Sequence, residues 1–291
     1  MKLNLFATVL TYAAPSSNYR GETEENRTII QKITIGDKSY PVISPESMRN
    51  ALREILARSV PCNRRRLHNE DQMAVEFREF PDAGKYADDF LFGYLVADQK
   101  AVRENRDRPS KRDSVLRMNL AVGLTPYRFD TIFHQSPKNG GQSPFRNATG
   151  SALLRREVAH TAFQYPFALA GQDCEEKPDW VRALLSGIGE LSRVAGGHAR
   201  SCYEMAPASI VARLTPGLIA GFDSYGFREG GDFPELQRIS VEDLPGEQFW
   251  VGGEIVRKMS VEERERLRGC GVRLYENPQR LLADLTDEFL T

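Results

Sequence analysis

The chain has 291 residues, of which 41% are hydrophobic and 27% charged, with four cysteines and a formal net charge of −1. This composition excludes a chain disordered throughout and a collagen or coiled-coil repeat. No apolar run approaches the roughly 18 residues of a transmembrane helix, so no membrane partner is expected. Cys62, Cys174, Cys202 and Cys270 lie far apart with no CxxC pair. Neither a disulfide framework nor a zinc site is expected, and a reducing cytoplasm is the expected location. Charge is unevenly spread. Residues 1–150 hold 23 Lys+Arg against 18 Asp+Glu, net +5, and residues 151–291 hold 16 against 22, net −6. Such asymmetry predicts a basic surface for an anionic partner and an acidic remainder able to meet a basic neighbour.

In chain order, residues 3–12 (LNLFATVLTY) are almost all apolar and predict a buried strand rather than a signal peptide. Residues 13–27 contain Pro, Ser, Asn and Gly and read as a polar loop. Residues 28–44 then fit two short strands turning at Gly36-Asp37. A helix follows over 45–58: Ser44 can cap it, Pro45 suits its first position, and Glu46 favours the dipole. Met48, Ala51, Leu52, Ile55 and Leu56 form its buried stripe, with Arg49 and Arg53 one turn apart at the border with solvent. From about Pro61 to Tyr127 no period persists, although residues 90–104 leave room for a short helix. Arg64-Arg65-Arg66 opens this stretch, and residues 99–117 carry seven basic and three acidic side chains. It reads as an insertion with mobile, basic loops.

Residues 129–169 predict a long hairpin turning at KNGGQ, whose return alternates Thr161, Phe163, Tyr165 and Phe167 onto one face. A second helix over 179–195 starts at Asp179, buries Val181, Leu184, Leu185, Ile188 and Leu191, and stops at Gly196-Gly197. Residues 199–215 read as a strand. Ser260 with Glu263 makes a capping box for a short helix, GVRLY is a strand, and Asn277-Pro278 starts a last helix. The order strand, helix, strands, helix, strand predicts an α+β fold. Its core is a ferredoxin-like (RRM-like) antiparallel sheet with two helices on one face, interrupted by large insertions.

No catalytic or metal-binding constellation emerges, and no cofactor is expected. There is no GxxxxGK[ST], HExxH, GxSxG or EF-hand pattern, and the four histidines are scattered. Asp88-Asp89 are adjacent acids able in principle to hold magnesium for phosphodiester cleavage, but in a solvated loop such pairs rarely do. Binding remains. Single-stranded RNA is held by cations on phosphates and by aromatic or apolar faces against bases. Three places supply such groups: Asn18-Tyr19-Arg20-Gly21-Glu22 with Arg27; the start of the first helix with Arg49 and Arg53; and Gly196-Gly197-His198-Ala199-Arg200.

These residues also carry a resemblance. N-x-R-G-E-x-E-x-N (Asn18 to Asn26), Gln31-Lys32, S-x-E-x-x-R-x-A-L-R (Ser44 to Arg53), and GGHAR (Gly196 to Arg200) ahead of Arg213-Leu214-Thr215 resemble the DevR-type CRISPR-associated proteins. Those are the Cas-seven backbone subunits of the type I surveillance complex Cascade, and the nearest flavour is subtype I-B. The resemblance implies a hand. The ferredoxin-like palm would take about residues 1–60 and 161–291, the fingers about 61–127, and a β-hairpin thumb about 129–160. It further implies a non-catalytic RAMP protein of antiviral defence that polymerises head to tail with other copies of itself along crRNA. The guide is thereby presented to target DNA by base pairing, beside subunits that cap the guide 5′ end, a large and a small subunit, and a guide-processing endoribonuclease. A nuclease-helicase or transposition proteins are further partners it allows.

Under that resemblance Arg20, Arg49 and Arg53 face guide phosphates, with His198 and Arg200 near the same groove. Phe145 and Arg146 wedge against bases at a kink, interface packing being the alternative for Phe145. Lys100, Arg103, Arg106, Arg108, Lys111 and Arg112 are placed to steer target DNA. Two rivals stand beside this reading. One is an endoribonuclease of the same superfamily that processes CRISPR RNA with His198 or Asp88. The other is a DNA-binding transcriptional autoregulator, for which neither long helix offers a convincing recognition face.

Overall fold

The computed structural model describes every residue except 1, 18, 25, 26, 69–72, 136–152 and 195–203. Its principal strands are β1 (Asn4–Leu10), β2 (Tyr19–Glu24), β3 (Arg27–Ile30), β4 (Lys32–Ile35), β5 (Lys38–Ile43), β6 (Arg64–His68) and β7 (Met73–Phe77). They continue with β8 (Arg117–Met118), β9 (Ala121–Gly123), β10 (Thr131–Gln135), β11 (Leu153–Glu157), β12 (Phe163–Ala170), β13 (Ser209–Thr215), β14 (Phe249–Gly253) and β15 (Arg273–Tyr275). The principal helices are α1 (Pro45–Leu56), α2 (Ala87–Phe92), α3 (Gln99–Glu104), α4 (Pro178–Gly189), α5 (Val261–Gly269) and α6 (Pro278–Leu290).

A nine-stranded sheet organises the molecule, in the order β15-β14-β13-β1-β12-β9-β5-β4 with β8 also pairing β12. All its ladders are antiparallel except β14 with β15. β1 is apolar at nearly every position because it lies at the centre, between β12 and β13, with side chains buried on both faces. Leu5, Ala7 and Val9 pack with Tyr165, Phe167, Ile210 and Ala212 under α1, α4 and α6. Across the sheet, Leu10, Val211, Phe249 and Val251 meet Phe222, Phe227 and Phe233 from the segment before β14. Each such buried side chain contributes on the order of 1.5–3 kcal/mol.

The helix ends follow local chemistry. Ser44 accepts a hydrogen bond from the Ser47 amide at 3.3 Å, and Pro45 needs no partner for a missing N–H. The Ser260 hydroxyl accepts from the Glu263 amide at 3.1 Å, and Asn277 accepts from Gln279 and Arg280. α4 starts one residue before the expected Asp179: Pro178 takes the first turn, and Lys177 provides no side-chain cap. It stops at Gly189, well short of Gly196-Gly197, which fall outside the described residues. Of the strand expected over 199–215, only Ser209–Thr215 is strand.

Two regions depart further from expectation. The stretch read as a polar loop, 13–27, contains β2 and the start of β3, and Ala14–Ser16 pairs with Ala159–Thr161. The stretch read as irregular, 61–127, holds the β6–β7 hairpin and a fully buried α2, and it returns β8 and β9 to the main sheet. α3 falls where room for a short helix was expected. No described helix is long and apolar enough to cross a membrane.

Candidate nucleic-acid interface

The cations of the N-terminal half fall into four settings. The first is a groove, a cavity of about 480 Å³ whose apolar lining includes Phe6, Met118, Pro166, Ala168 and Phe222. Arg49 and Arg117 line it. Arg49 is half-buried at the edge of α1, where its Nη2 donates to the Leu116 carbonyl at 3.2 Å. Its Nε is buried and has no hydrogen-bond partner among the described residues. Burial lowers the Arg49 pKa; Glu46 opposes that, while Arg117 and Arg64 add repulsion. Two like charges facing one apolar-lined groove make a site whose demand is for an anion. Arg117 was visible only as one member of a basic run. Its role depends on β8, where it stands opposite Ala168 of β12.

The second setting is internal. Arg53, expected at the border with solvent, is only 7% exposed. Its guanidinium lies over Phe92 at 4.9 Å, bonds Asn50, and approaches Asp88 at 3.7 Å. Burial and the neighbouring Arg64 lower its pKa to about 9, against the pull of Asp88, so it stays charged at neutral pH. A phosphate would have to draw it away from Asp88, so Arg53 is part of the framework rather than of an open phosphate site. The acids differ from expectation in the same way. Asp88 and Asp89 are fully buried in α2 rather than solvated in a loop. Asp88 accepts the amides of Asn63 at 2.7 Å and Arg64 at 2.9 Å; Asp89 accepts Asn63 Nδ2 at 2.8 Å and the Asp82 amide at 3.0 Å. The Asn63 side chain in turn accepts from the Arg78 and Glu79 amides, so this cluster ties α1 and α2 to the root of the β6–β7 hairpin. Burial raises the Asp89 pKa despite those donors.

The third setting is the root of the expected thumb. β10 and β11 pair from Thr131 with Glu157 to Gln135 with Leu153, as a hairpin requires. β3 then joins β11 in parallel and β2 joins β3, giving a four-stranded sheet that carries Arg20 and Arg27 beside the hairpin. Arg27 sits 5.3 Å from the Phe129 ring centre and 3.4 Å from Glu157. Phe129, Ile132 and Phe133 are exposed at this root. The fourth setting is the arm around α3, capped by Asp98 and without a buried residue. Lys100, Arg103, Arg106, Arg108 and Lys111 are exposed there. Arg112 differs, lying half-buried with its guanidinium over the Phe90 ring at 5.0 Å. Asn18, Phe145, Arg146, His198 and Arg200 lie outside the described residues, as does the side chain of Arg20.

The fold is shared with chains of RNA-guided assemblies. It superposes on a chain of a "CRISPR RNA-guided surveillance complex, pre-nicking" with a TM-score of 0.62 and 9% identity, covering 98% of this chain and 100% of that one. A chain of a "CRISPR RNA-guided surveillance complex" gives 0.59 and 13%, over 98% and 99%. No protein-family model matches. In sequence, the chain is 29% identical over 283 residues to the CRISPR-associated protein Cas7/Cst2/DevR of Myxococcus xanthus (strain DK1622), covering 93% of each. This likeness extends over nearly the whole length of both chains, beyond the motifs on which the resemblance to the DevR-type family was read.

Proposed function

We propose that this protein is a backbone subunit of a type I CRISPR surveillance complex, several copies of which assemble head to tail along crRNA and present it to target DNA. The observation that carries this is the full-length likeness, in sequence to a Cas7/Cst2/DevR protein and in fold to chains of RNA-guided surveillance complexes. The strand order β13-β1-β12-β9, with α1 and α4 as the crossovers, supports a ferredoxin-like palm. β10–β11 is then the thumb and β6–β7 part of the fingers. Arg49 and Arg117 bind backbone phosphates in the groove, with sugars or base faces on its apolar lining. Such contacts position the strand without reading its letters. The α3 arm attracts target DNA at long range, and subtype I-B, a cytoplasmic setting and the other Cascade subunits as neighbours complete the reading.

The protein acts by binding. Asp88, the candidate for magnesium chemistry in the rival endoribonuclease, already spends both carboxylate oxygens on backbone amides. The deciding experiment is co-expression with a CRISPR array, followed by mass and ultraviolet absorbance of the purified species. A stoichiometric ribonucleoprotein with RNA bound irrespective of spacer sequence is expected. An RNA-free monomer, or guide precursor cut by the purified protein and spared by Asp88→Ala or His198→Ala, overturns it.

A further inference from the structure

The buried polar group least accounted for by the groove is Glu157, at the end of β11. It is 2% exposed, yet it meets cations from two separate segments. Lys32 Nζ, at the start of β4, donates to Oε2 at 2.9 Å, and Arg27 Nε of β3 lies 3.4 Å from Oε1. The Ile30 amide donates to Oε2 at 3.2 Å. The position matters because of what it joins. The parallel ladder between β3 and β11 consists of two residue pairs, Arg27 with Arg155 and Thr28 with Arg156. A parallel pairing that short is weak by itself. Glu157 follows directly, and its carboxylate takes the Ile30 amide, so a side chain extends the ladder. Lys32 belongs to the edge of the nine-stranded sheet, so the same carboxylate ties the hairpin sheet to the main one. Lys32 is held from its other side by the Tyr127 ring at 4.2 Å, and Arg27 by Phe129.

We infer that Glu157 is a positioning residue for RNA: it holds the cationic strand pair β2–β3 against the root of the β10–β11 hairpin, in the geometry that grips the guide. This rests on the function proposed above. Neutralising Glu157 releases two cations onto the surface. A carboxylate that merely quenched those charges would, once removed, leave a stronger and more salt-sensitive attraction for RNA. A carboxylate that positions gives the opposite sign, because the strand pair that carries Arg20 and Arg27 comes loose from the hairpin root, and this outweighs the added positive charge.

The test is fluorescence anisotropy of a labelled, unstructured single-stranded RNA against full-length protein over a salt series, with circular dichroism to confirm the fold. Glu157→Gln is expected to weaken binding by about tenfold, the scale of one charge-assisted hydrogen bond. The salt slope should shrink by roughly 0.7 for each phosphate that is no longer engaged. Glu157→Asp should recover part of the affinity, and hydrogen exchange at the Ile30 amide should quicken in the Gln variant alone. Lys32→Met, which keeps the stem over Tyr127, should weaken binding by a similar factor and add little in combination with Glu157→Gln. Should Glu157→Gln fail to fold, Lys32→Met carries the test by itself. Binding by either folded variant that equals or exceeds wild type overturns the positioning role, whereas a wild-type protein that binds no RNA overturns the function on which it rests.

Discussion

The cluster around α1 and α2 and the arm around α3 are both rich in arginine, and they have opposite characters. In the first, Arg53 and Arg64 are drawn inward by Asp88 and Asp89, lie over Phe92 and Phe77, and hold charge where water is scarce. In the second, Arg103, Arg106 and Arg108 stand in solvent on a helix and turn with nothing buried beneath the helix. Arg49 lies between these extremes, anchored on the Leu116 carbonyl but opening on the groove. The number of basic residues therefore says little about binding. What decides is whether each guanidinium has a buried acid to satisfy before it can serve a ligand.

The sharpest way to break that contrast is Arg53→Met, which removes the guanidinium 3.7 Å from buried Asp88 and leaves that carboxylate its two backbone amides and the neighbouring Arg64. It should cost about 3–5 kcal/mol of stability, read by denaturant unfolding; a neutral result would place Arg53 with the exposed cations. Next comes the pair Arg49→Ala and Arg117→Ala. Together they should reduce RNA affinity by roughly 10- to 100-fold, with equal reductions for unrelated sequences and a salt slope lower by about 0.7 per phosphate released. Unfolding of that double variant should change little, and a selective reduction for one sequence would contradict a backbone-reading groove.

A smaller effect concerns Glu157 and acid. Burial by itself would raise its pKa, but Lys32 and the Ile30 amide prevail and hold it below the ordinary carboxylate range. A depressed folded pKa means the stabilisation is present above the unfolded value near 4.3 and disappears as pH falls through the folded value. The thermal-midpoint difference between wild type and Glu157→Gln should accordingly be full at neutral pH and narrow progressively as pH falls below about 4.3. The smallest expected change in stability, within about 0.5 kcal/mol, comes from replacing Lys100, Arg103, Arg106 and Arg108 by Ala. Their removal should instead slow association with target DNA at low salt and leave RNA binding untouched, as stopped-flow measurements would show.

What the sequence disclosed depended on how local the cause was. The Ser44-Pro45 start of α1, the alternation of Phe163, Tyr165 and Phe167, the Gly36 turn and the Asn277-Pro278 start all rest on neighbours within a few residues, and all are present. Arg53 was misplaced because a stripe of apolar residues treats any arginine beside it as solvated, whereas its partner Asp88 is distant in the chain. Asp88-Asp89 looked like loop acids for the same reason, since the amides that satisfy them come from Asn63, Arg64 and Asp82. β2 is short and polar, and β3, only four residues long, joins the hairpin sheet through β11, far downstream. The motif resemblance reached further than periodicity because it compares whole arrangements instead of windows.

The central place of β1 has a consequence for how the polypeptide is made. It is made long before its two neighbours, β12 at 163–170 and β13 at 209–215. One of its hydrogen-bonding edges therefore stays open until β12 is made and the other until β13 is made, a high-contact-order arrangement that folds slowly and exposes an apolar strand meanwhile. Nascent chains stalled before residue 209 should be held by chaperones or aggregate, and release should come as the β13 segment emerges.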